Sequence, residues 1–104
     1  MLQSNRKDTM KLKPLSPAEV KVALKSVPLW RRTGSTIRRT FEFPDFPVAI
    51  KFVNQVARLA ERAGHHPDID IRWNKVHLLL TTHDAGGLTQ KDFDLAVSIS
   101  AKVD

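Results

Sequence analysis

The chain of 104 residues contains no cysteine. That absence excludes disulfides, thiolate zinc sites, iron–sulfur clusters and a cysteine nucleophile, and it narrows any metal site to histidines and carboxylates. No apolar run approaches the roughly 18 residues of a membrane span, and no signal-peptide apolar region is present. Internal repeats and low-complexity segments are missing too, as is any stripe of basic and aromatic residues of the RNA-recognition kind. What is left is an apolar content of 41% with 27% charged residues, which is globular rather than disordered. A chain of this length holds one core and not two. The expectation is a soluble, intracellular single domain, cytoplasmic by default, with no membrane contact.

Charge is present but uneven. The net value is +6, with +7 carried by residues 1–52 and −1 by residues 53–104. A basic half raises nucleic acid as a partner class. Without an aromatic stripe, these residues read instead as solvated side chains on a tail, helix faces and strand edges, so no nucleic-acid partner is expected.

Residues 1–13 are polar, basic and aperiodic, and are read as a flexible lead-in; residues 14–104 form the domain. Ser16, Pro17 and Glu19 supply an N-cap, a first-turn proline and a capping box. Val20, Ala23, Leu24 and Val27 then follow at helical spacing until Pro28. Residues 30–33 and 36–43 form a hairpin about Gly34-Ser35, with Ile37, Phe41 and Phe43 on one face. Asp45 caps a longer helix whose stripe runs Ala49, Phe52/Val53, Val56, Ala60 and Ala63, and Gly64 ends it in a left-handed conformation.

Residues 68–73 and 76–82 alternate as strands. A two-residue loop at Asn74-Lys75 makes opposed residues total 149, pairing Trp73 with Val76, Ile71 with Leu78 and Ile69 with Leu80 on an apolar face. Thr89 and Asp92 form a second capping box, flanked by Leu88 and Phe93 as a hydrophobic staple. The order helix-strand-strand-helix-strand-strand-helix predicts an α+β domain: a four-stranded antiparallel sheet with three helices packed on one face.

All four histidines, His65, His66, His77 and His83, fall within nineteen residues. The assumed register places His66 opposite His83, with Cα atoms roughly 4.5–5.5 Å apart. His65 is adjacent, and Glu61 lies one helical turn before it. Three readings stand side by side. Imidazoles on opposite sides of a small molecule can give and take protons at neutral pH. His65 or His66 with His83 and Glu61 or Asp84 can hold a metal, although no H-x-x-x-H or H-x-H spacing occurs. The histidines can also simply cap turns and strand ends. His77, in mid-strand opposite Arg72, reads as structural.

His65-His66-Pro67, Trp73, Asn74-Lys75-Val76-His77, Thr81-Thr82-His83-Asp84, Gly87-Leu88-Thr89 and Asp92 together resemble the pterin-4a-carbinolamine dehydratase family. The likeness extends from Leu15-Ser16 through Trp30 and Phe41-x-Phe43 to Leu95-Ala96. It implies the same fold, and dehydration of 4a-hydroxytetrahydrobiopterin to quinonoid dihydrobiopterin without metal or other cofactor, in tetrahydrobiopterin recycling. By the resemblance, the functional imidazoles are His65, His66 and His83. Glu61, Gly64, Thr81, Thr82, Asp84 and Trp30 belong to the substrate site, Trp30 being equally readable as plain core. Gly64 departs from the aspartate of animal members, so no side-chain contact comes from it. Asp92 completes the signature and is read as a helix cap. The resemblance also implies a homodimer or homotetramer. Its rival reading is a non-catalytic interaction module, since animal members bind a transcription factor's dimerisation helix.

Overall fold

Ser16 opens the first helix with a reciprocal cap. Its Oγ accepts the Glu19 N–H at 3.2 Å, and Glu19 Oε1 accepts the Ser16 N–H at 2.8 Å. The computed structural model describes residues 13–104, so all of the expected lead-in except Lys13 lies outside the described residues. Helix α1 spans Pro17–Ala23 and tightens into a 3-10 turn at Leu24–Ser26 ahead of Pro28. Val20 and Val27 are buried and Ala23 and Leu24 half-buried, as the helical spacing requires.

Strands β1 (Arg31–Thr33) and β2 (Thr36–Glu42) form the first hairpin, with Trp30 just outside it. Helix α2 (Phe46–Ala63) starts where Asp45 Oδ1 accepts the Val48 N–H at 3.1 Å, and it buries Ala49, Phe52, Val56 and Ala60. Ala63, expected to close this stripe, is exposed. Strands β3 (Asp68–Arg72) and β4 (Lys75–Leu80) form the second hairpin, and helix α3 (Gln90–Ser100) completes the domain. The sheet is antiparallel with order β1-β2-β4-β3. This is the expected α+β architecture of three helices on a four-stranded sheet.

The core joins Ile37, Phe41, Val76, Leu78 and Leu80 of the sheet to Phe52, Val56, Phe93 and Ile99 of the helices. Arg39 alternates onto the same face as Ile37 and Phe41. Its side chain is only 12% exposed; the guanidinium lies 4.3 Å from the Phe41 ring centroid and makes two 2.9 Å bonds to the Asp104 carboxylate.

The register of the second hairpin differs from the expected one. Arg72 faces Lys75, Ile71 faces Val76, Asp70 faces His77 and Ile69 faces Leu78, so opposed residues total 147 and not 149. The loop is Trp73-Asn74, with Trp73 at φ +52°. Asn74 pins it there: its carbonyl accepts the Phe43 N–H at 2.9 Å and its side-chain amide donates to Phe43 O at 2.8 Å. A shift of two leaves every side chain on its own face, so apolar alternation cannot distinguish the two registers. Two expectations fall with the old one. His77 opposes Asp70 and Thr40 instead of Arg72, with Nδ1 2.7 Å from Thr40 Oγ1. His66 does not oppose His83, because the β3–β4 ladder ends at Asp68–Leu79. Among the described residues no helix is long and apolar enough to cross a membrane.

Candidate functional site

The end of α2 decides where the first two histidines sit. Gly64 adopts φ +62°, ψ +31°, its N–H reaching Glu61 O at 3.2 Å while the His65 N–H reaches Ala60 O at 3.1 Å. This closure reverses the chain within two residues, and a left-handed position there suits glycine. His65 is turned inward, with its side chain 11% exposed and Nε2 2.6 Å from Oδ1 of Asp92. His66 is turned outward, and its Nε2 lies 2.6 Å from Oε2 of Glu61.

His83 comes from a separate loop. Beyond β4, Thr82 and Gly87 pair across a short antiparallel bridge, with N–H···O distances of 3.2 and 3.3 Å. Between them a 3-10 turn at His83–Ala85 closes on left-handed Gly86 and leaves His83 and Asp84 exposed. Thr81 donates to Ser35 O at 2.6 Å, tying this loop to the first hairpin.

Asp92 joins the two segments. It is fully buried in the first turn of α3, where the helix dipole favours a carboxylate. As expected it caps the helix: Oδ2 accepts the Thr89 N–H at 2.9 Å. Oδ2 also accepts from Thr82 Oγ1 at 2.8 Å, and Thr82 and Thr89 hydroxyls meet at 2.9 Å. The remaining oxygen meets His65. Two hydrogen bonds and one peptide link therefore separate the His65 ring from His83. The sequence reading missed this second use of Asp92. Its only trace in the chain is an acidic residue one turn into a helix, which a cap alone explains.

The other expected site residues are placed as follows. Glu61 holds His66, Gly64 supplies backbone conformation, and Thr82 has its side chain committed to Asp92. Trp30 is 3% exposed and donates its indole N–H to Ser100 Oγ at 2.9 Å, with its ring edge-on to Phe41. No hydrogen bond joins His66 to His83, and among the described residues no three histidines or carboxylates converge to hold a metal. Beside His65 an open cleft of about 330 Å³ runs between α2 and α3, bordered by Leu59, Arg62, Lys91 and Leu95; His66 and His83 do not line it.

Comparison with known proteins bears on this arrangement. A family model described as pterin 4 alpha carbinolamine dehydratase matches residues 13–102. A protein of Roseiflexus sp. (strain RS-1) named "Putative pterin-4-alpha-carbinolamine dehydratase" is 66% identical over 85 residues, covering 82% of this chain and 91% of that one. A protein of the same name from Acidobacterium capsulatum is 58% identical over 87 residues, covering 84% and 95%. Among solved structures, a transcriptional coactivator/pterin dehydratase from Brucella melitensis superposes with a TM-score of 0.84 at 32% identity, over 88% of this chain and all of that one. A pterin dehydratase-like RuBisCO assembly factor of the alpha-carboxysome, at 20% identity and a TM-score of 0.57 over 69% and 83% of the two chains, shares the fold alone.

Proposed function

Since the chain belongs to the pterin-4a-carbinolamine dehydratase family, we propose that it dehydrates a 4a-hydroxytetrahydropterin to the quinonoid dihydropterin by histidine acid–base catalysis, in tetrahydrobiopterin recycling. The observation that carries the reading is the link from His65 through buried Asp92 to Thr82, which holds the paired histidines and the His83 loop as one unit. The 4a-hydroxyl is a poor leaving group unless it departs as water, so an imidazolium gives it a proton. The C4a–O bond then breaks with its electron pair on oxygen. Loss of the N5 proton to a neutral imidazole completes the new double bond, and the enzyme is left with no net gain or loss of protons. His65 and His83 share these two roles and His66, braced by Glu61, orients the substrate. Backbone groups of residues 64–66 and 81–84, with exposed Asp84, supply further contacts.

The test is turnover of 4a-hydroxytetrahydropterin, followed spectroscopically with a chelator present. Replacing His65, His66 or His83 by Ala is expected to lower kcat, by about 10²-fold or more for the acid and the base. Near-full activity in all three single variants would sink the proposal. The Brucella neighbour is named both coactivator and dehydratase, so the second reading is an interaction module. Wild-type protein that binds pterin without turning it over would favour that reading. Self-association to a homodimer or homotetramer belongs to the same proposal, supported by β3, an edge strand whose five residues are all exposed.

A further inference from the structure

We infer that Asp92 is a positioning residue that fixes the tautomer of His65 and makes Nδ1, not Nε2, the nitrogen that exchanges protons with substrate. The inference rests on the dehydratase reading for its catalytic half and on geometry alone for its tautomeric half. Asp92 is fully buried, and its Oδ2 already accepts the Thr82 hydroxyl and the Thr89 N–H. The backbone N–H cannot turn away, so this oxygen remains an acceptor. Oδ1 lies 2.6 Å from His65 Nε2 with no other partner among the described residues. A carboxylate oxygen only accepts, so the hydrogen of that bond belongs to Nε2.

The neutral ring is then the Nε2–H tautomer, with its lone pair on Nδ1. Nδ1 has no hydrogen-bond partner among the described residues, and no buried side-chain nitrogen or oxygen among them lacks one. Among the described residues Nδ1 is therefore not sealed in the interior, as a proton-exchanging atom must not be. The backbone closure at Gly64 and the bond to Asp92 hold the ring at both ends, so its orientation is set before substrate arrives.

Asp92→Asn tests this with little change in shape. The new amide must keep its oxygen towards the Thr89 N–H, which turns its NH₂ towards His65. Nε2 is then forced to accept, the proton moves to Nδ1, and the working lone pair is lost. Long-range ¹H–¹⁵N correlation spectra, recorded where the ring is neutral and assigned with His65→Gln, should show Nε2–H in the wild type and Nδ1–H in the variant. Turnover should show kcat lower by about 10²-fold or more with KM within about threefold, since substrate contacts are untouched. Circular dichroism establishes that the variant is folded; if it is not, the wild-type tautomer decides alone. An Nδ1–H wild type, or a folded variant that keeps Nε2–H, overturns the positioning role. A switched tautomer with unchanged kcat overturns the assignment of Nδ1. Wild-type protein without turnover overturns the dehydratase reading and the catalytic half with it, while the spectra still report on the tautomer.

Discussion

His65–Asp92 and His66–Glu61 are chemically the same pair at the same 2.6 Å separation, yet they do different things. The His66 and Glu61 side chains are 62% and 78% exposed, where water competes and an ion pair contributes about 0–1 kcal/mol. Asp92 is fully buried, so its hydrogen bonds are obligatory and the ring that meets them has one orientation. Outside the site, largely buried Arg39 pairs with half-exposed Asp104. The paired hydrogen bonds from Arg39, reinforced by its charge, hold the Asp104 carboxyl below the ordinary carboxylate range and outweigh the opposing effect of desolvation. A depressed folded value means that the pair stabilises above the unfolded aspartate value of about 3.9, and that this is lost as pH falls through the lower, folded value. Following the Asp104 carboxyl carbon by NMR should give a midpoint below that of an unfolded aspartate, restored in Arg39→Gln. An ordinary midpoint in the wild type would refute the pairing.

Among the elements, the helix ends carry the most consequence. Ser16, Asp45, Gly64 and Thr89 were all legible as caps, because a cap is a contact between residues three or four apart. Gly64 does more than end α2, since the reversal it permits sends His65 inward and His66 outward. No atom lies within 4 Å of a methyl group added there, so the cost of Gly64→Ala is conformational, roughly 1–2 kcal/mol. The melting temperature should fall by about 4–8 °C for each kcal/mol. Activity should fall beyond that loss of folded protein, because the histidine turn is displaced. An unchanged Tm would show that Gly64 does not need its positive φ. The β3–β4 turn was less legible. Trp73 at φ +52° is a conformation that bulky residues rarely adopt, and the contacts holding it come from Phe43, thirty residues earlier.

At the scale of the whole molecule, the two sheet edges are β1 and β3. Ile69 and Ile71 of β3 share the face of buried Leu78 and Val76 but remain 38% and 37% exposed, because β3 is an edge strand. An open edge bearing apolar residues is a template for a second chain. Sedimentation over a range of concentrations should show self-association, and Ile71→Lys should shift the distribution towards monomer. A wild type that stays monomeric throughout would refute that part of the proposal. The division between chain and fold follows the range of the interactions. By itself the sequence determined the helices and their caps, the faces that β2 and β4 bury and the class of fold, since these depend on periodicity and on neighbours a few residues apart. Only the tertiary structure decided the hairpin register, because a shift of two preserves every face. It alone joined Asp92 to His65 across 27 positions, since the free oxygen of a capping carboxylate takes whichever donor the packing of α2 against α3 brings to it.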